Sequence, residues 1–99
     1  MIVRIVKMTF YPEMVSDFLK VFTHSKNAIR NFEGCLHLEL LQDAHHKNIF
    51  FTHSHWDSEE HLDNYRNSDL FVATWSKTKI LFVEKPEAWS LMPFSSTEI

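Results

Sequence analysis

The chain has 99 residues, 44% hydrophobic and 14% aromatic, with one Gly, three Pro and one Cys. That composition excludes a disordered chain, a Gly-rich phosphate loop and an internal disulfide, and a single domain of this size leaves little room for both a full core and a deep pocket. A net charge of −3 with dispersed Lys and Arg offers no footprint for nucleic acid, and no apolar run or leader marks a membrane or export, so a cytosolic protein is expected.

The opening MIVRIVKMTF reads as a strand apolar on both sides, with Val3 and Ile5 on one face and Ile2, Val6 and Met8 on the other. Pro12 suits a first helical turn, and Val15, Phe18, Leu19, Phe22 and Ile29 recur at helical spacing, which predicts a helix over about 13–30. Gly34 ends the link NFEG, CLHLELLQ is a strand, DAHHKN a polar turn, and IFFTHSHW the strand returning antiparallel. Asp57 with Glu60 has the spacing of a capping box opening a helix over SEEHLDNYR. Ser68 looks like a second cap, and Phe71, Trp75, Thr78 and Phe82 carry a stripe to about 83, before Pro86. PEAWSLM is the final strand, so residues 1–92 form the domain and 93–99 a polar tail expected to fray.

The order β-α-β-β-α-β is an α+β, ferredoxin-like split arrangement: an antiparallel sheet with both helices on one face. The uncovered face is expected to meet its copy in a homodimer, with the segment near Trp89 contributing.

Strand parity sorts the histidines. Odd positions Cys35, His37, Glu39 and Leu41 share a face with Ile49, Phe51, His53 and His55. If Leu41 pairs with Ile49, His37 lies opposite His53 and Cys35 opposite His55, a donor set suited to zinc or copper. Imidazoles at an interface are also satisfied by Glu39 or water, and no closed ligand motif is present, so no metal is expected there. His45 and His46 fall in the turn, and His24 and His61 on helices. The even positions Leu36, Leu38, Leu40, Phe50, Thr52, Ser54 and Trp56 are expected to face the helices with Val6, Met8 and Trp89. Arg4 adds a polar group beside Thr52 and Ser54. That side is an ordinary core or a small apolar pocket.

GCLHLELLQD, NIFFTHSHWDSEEHLDNYRNSDLF and KPEAWSL resemble the antibiotic biosynthesis monooxygenase family, over roughly residues 1–92. The resemblance implies a dimeric ferredoxin-like α+β barrel. It also implies a cofactor-independent monooxygenase, an oxidoreductase in which a small aromatic or quinol, once deprotonated, supplies the electron to dioxygen. Tyr65 and Arg66 would be the catalytic residues steering the hydroxyl, with Thr52, Trp56, Phe71 and Trp75 binding the substrate. Haem-degrading members carry Asn, Trp and His where Val6, Tyr65 and Trp75 stand, which disfavours haem. Quinol-oxidising members often carry His at Tyr65. That departure favours an alternative, a non-catalytic small-ligand-binding dimer of the same fold.

Overall fold

The computed structural model describes residues 1–95. Four strands, β1 (Ile2–Thr9), β2 (Cys35–Gln42), β3 (Ile49–Trp56) and β4 (Glu87–Leu91), form one sheet in the order β2-β3-β1-β4. All three neighbour pairs are antiparallel. Helices α1 (Val15–Arg30), α2 (Glu59–Arg66) and α3 (Asp69–Lys79) complete the ferredoxin-like α+β fold that the periodicities predict.

Local chemistry sets the element ends. Pro12 opens a short 3-10 turn over Pro12–Met14, so α1 itself starts at Val15. The cap of α2 is Ser58, whose hydroxyl accepts the His61 N–H; the expected Asp57–Glu60 box does not form the cap. Ser68 caps α3 as expected, accepting the Phe71 N–H. α3 stops at Lys79, short of the expected residue 83, because the chain peels away to extend the sheet edge. Phe10 bridges Phe82, the Tyr11 N–H reaches the Leu81 carbonyl, and the Val83 N–H reaches the Thr9 carbonyl.

The register of the β2–β3 hairpin differs from the expected one by two residues. Leu41 pairs with Phe51, Glu39 with His53 and His37 with His55. The turn keeps its expected six residues, 43–48, but Gln42 pairs with Phe50; inside it the Asp43 carboxylate accepts the His45 and His46 N–H groups, and the Asp43 N–H closes onto the Ile49 carbonyl. A bulge between Cys35 and His37 then places Cys35 opposite Trp56. Cys35 is therefore buried on the helix side, not on the histidine face, and Leu36 is exposed instead of facing the helices. Trp89 pairs with Ile5, which puts it on the open face; Ala88, opposite Val6, takes the helix-facing position expected of Trp89.

The core forms two clusters beneath the helices, one around Met8, Phe10, Phe18, Phe50 and Leu81, the other around Ile2, Cys35, Trp56 and Leu62. Gly34, at φ +86°, joins α1 to β2, and a Cβ there would meet the His61 ring at 2.3 Å. Of the expected tail 93–99, residues 93–95 are exposed coil and the rest lies outside the described residues.

Candidate functional site

Between the two core clusters the helices stand off the sheet and leave a cavity of about 300 Å³. Its floor is the even face, with Arg4 and Val6 from β1, Leu38 from β2, Thr52 and Ser54 from β3, and Ala88 from β4. Its wall is a chain of rings from α2, α3 and the end of β3. Trp56 stacks on Tyr65 with centroids 4.9 Å apart, Tyr65 meets Phe71 edge-on at 5.3 Å, and Phe71 stacks on Trp75 at 5.7 Å. The sequence-predicted residues Thr52, Trp56, Tyr65, Arg66, Phe71 and Trp75 thus all line one space. Trp56 is the most enclosed of them, 1% exposed, its indole N–H donated to the Ser54 hydroxyl at 3.0 Å.

The polar equipment is sparse. Ser25 and Thr78 donate their hydroxyls back to carbonyls of their own helices. The titratable groups lining the cavity are Tyr65, Arg4 and Arg66. Burial, with a smaller contribution from Cys35, pushes the Tyr65 hydroxyl well above the usual tyrosine range. Tyr65 is therefore a proton donor near neutral pH and not a base. Arg4, absent from the predicted site list, is the main addition: its guanidinium donates to the Ser90 hydroxyl at 2.9 Å. Burial first, and then the charge of Arg66, lower its pKa, with Asp63 opposing. An Arg set among apolar residues on the helix-facing parity of a strand is the sequence signal for it.

On the other face of the sheet, His53 Nδ1 lies 2.6 Å and His37 Nε2 3.4 Å from Glu39 Oε1, and His55 Nε2 lies 3.0 Å from His53 Nε2. The hydrogen bonds from His53, and then from His37, hold the Glu39 carboxyl below its usual range. Burial and the two neighbouring imidazoles lower His55, against Glu39.

Residues 1–76 match the family model described as antibiotic biosynthesis monooxygenase. The chain belongs to the antibiotic biosynthesis monooxygenase family. No curated protein matches it. Among solved structures it resembles a conserved protein of Methanosarcina mazei Go1, with a TM-score of 0.86 at 22% identity over 91% of this chain and 90% of that one. A second, described as an antibiotic biosynthesis monooxygenase, gives 0.90 at 16% identity over 96% and 100%. A Mycobacterium tuberculosis protein gives 0.88 at 16% identity over 98% of each chain. At these identities the likeness is one of fold. Antibiotic biosynthesis monooxygenase family members that degrade haem ligate iron through a histidine. No imidazole lines this cavity, and Trp75 occupies the corresponding wall, so the residues present do not fit a haem.

No helix among the described residues is long and apolar enough to cross a membrane.

Proposed function

We propose that the cavity binds a small planar phenol or quinol as its anion and that the chain is a cofactor-independent monooxygenase acting on it. The observation that carries this reading is the pairing of a stacked aromatic wall with two guanidiniums, Arg4 and Arg66, lining the same cavity. A flat ring gains apolar contact against Phe71 and Trp75, with Trp56 packed behind Tyr65, and Arg66 and Arg4 favour the phenolate over the phenol. Tyr65 donates a hydrogen bond to the same oxygen. Electron-rich phenolates can pass one electron to dioxygen; the radical pair then joins at a ring carbon bearing hydrogen as a peroxide anion, which takes up the proton released when the phenol ionised, and the hydroperoxide loses water across that carbon to give the quinone. Among the described residues none lining the cavity is a carboxylate or imidazole base, so ionisation rests on the guanidiniums and on the substrate's own acidity.

The absence of a base among those residues also favours the second reading, a binding dimer without turnover. Oxygen uptake with a panel of phenols and quinols separates the two. Saturable uptake in which Arg66→Ala lowers kcat and moves the onset of uptake to higher pH supports the oxygenase, whereas tight binding of the same compounds without uptake supports the binding protein. We propose further that the open sheet face joins the same face of a second copy, a reading supported by the exposure of Leu41, Trp89 and Leu91. Light scattering at micromolar concentration giving about 24 kDa, twice the chain mass, is the expected result.

A further inference from the structure

The histidines of the open face take no part in the cavity chemistry and lie across the sheet from it. We propose that His37, Glu39 and His53 bind one first-row divalent cation, zinc by preference, and that His55 is the positioning residue for His53.

Strand pairing supplies the placement. Glu39 and His53 are direct partners across the β2–β3 ladder, and His37 follows two residues away on the same face, opposite His55. One donor atom from each of His37, Glu39 and His53 falls within 4.8 Å of the other two. Four-coordinate zinc with bonds near 2.0–2.1 Å sets its donors about 3.3 Å apart. His37 and Glu39, at 3.4 Å, already have that spacing. The 2.6 Å contact of His53 with Glu39 is a hydrogen bond whose proton a cation would replace, the two atoms then separating by roughly 0.7 Å.

Three protein donors leave a fourth position for water, and in the single chain the side chains of His37, Glu39 and His53 are 42%, 42% and 25% exposed, so an ion can enter before the open faces of two copies close over it. When His53 ligates through Nδ1 its Nε2 carries the proton. The 3.0 Å contact with His55 Nε2 gives that N–H an acceptor, the outer-shell partner that fixes a ligating imidazole. Two imidazoles with one carboxylate suit zinc and its neighbours over magnesium or calcium. The Cys35 thiol is on the other side of the sheet, so the site lacks the soft donor that would select Cu(I). The expectation of no metal rested on the lack of a closed ligand motif and on imidazoles satisfied by Glu39 or water; the observed register brings Glu39 itself into one donor set with His37 and His53.

The test is calorimetric titration of the chelator-stripped full chain with zinc chloride in two buffers of different ionisation enthalpy, with the visible spectrum of the Co(II) form alongside. One ion per chain, protons released on binding and a d–d band of low-coordinate Co(II) are expected. Glu39→Gln, which keeps the side-chain shape, and His53→Ala should each weaken zinc binding at least tenfold. His55→Ala should cost about tenfold through the outer shell, and His45→Ala in the turn should change nothing. Circular dichroism establishes that each variant is folded, and Glu39→Gln decides the matter if His53→Ala is not. Absence of saturable binding, or binding undiminished by Glu39→Gln, overturns the proposal.

Discussion

The two faces of this sheet are built from the same four strands and share almost no chemistry. The helix face carries rings, aliphatic side chains and Arg4 around a cavity. The open face carries the titratable row Glu39, His53, His37 and His55, with Ile5, Trp89 and Leu91 beside it. Period-two alternation lets a strand of eight residues specify two unrelated surfaces, and the rule holds only while register is kept.

The sharpest way to break that comparison is to remove one Trp from each face. Trp56→Ala should cost about 3–5 kcal/mol in urea unfolding, because its fully buried ring leaves a hole that its neighbours cannot fill. Trp89→Ala, at a side chain 43% exposed, should change the stability of the single chain by no more than about 0.5 kcal/mol. Equal losses would mean that the faces are not distinct in this way.

Next in size is Gly34→Ala, at the junction where the faces are assigned. A left-handed backbone and a contact with the His61 ring together should cost about 2–3 kcal/mol. A neutral result would show that the turn before the bulge is not held as described.

The smallest effect sharpens the comparison at a single atom. Burial raises the Cys35 thiol above its ordinary 9.0, with a backbone hydrogen bond at His37 and the charge of Arg30 opposing. For an acid raised in the folded state, the neutral form is the one folding favours. This contribution to stability is therefore complete below the unfolded pKa and disappears as pH climbs through the folded one. A thiol reagent at pH 8 should label Cys35 much more slowly in the folded chain than in urea. Equal rates would return Cys35 to the open face.

Much of this was legible in the sequence because alternation and helical spacing are local signals. Parity puts Thr52 and Trp56 on the helix side and the helical stripe puts Phe71 and Trp75 on one face, whereas adding Tyr65 to them as one site rested on the family resemblance. What was not legible depends on events that parity does not encode. Hydrogen bonds of the Asp43 side chain organise a turn of the expected length in which the register differs by two. One bulge exchanges the faces of Cys35 and Leu36. In β4, a strand of five exposed residues gave no burial contrast with which to orient Trp89. Arg4 was visible but undervalued, since its importance lies in sharing the cavity with Arg66, a contact across the fold.

The three tryptophans give the molecule separate optical reporters. Trp56 is sealed against Tyr65, Trp75 lies on the cavity wall between Phe71 and Phe82, and Trp89 is half-exposed on the open face of the single chain. Indole emission moves to the red with solvent contact, so the spectrum of the single chain is a sum of a blue, an intermediate and a red component. A molecule entering the cavity perturbs the component from Trp75 and leaves the red one in place. Covering the open face shifts the red component alone, so one cuvette distinguishes occupancy of the two sides without any added label.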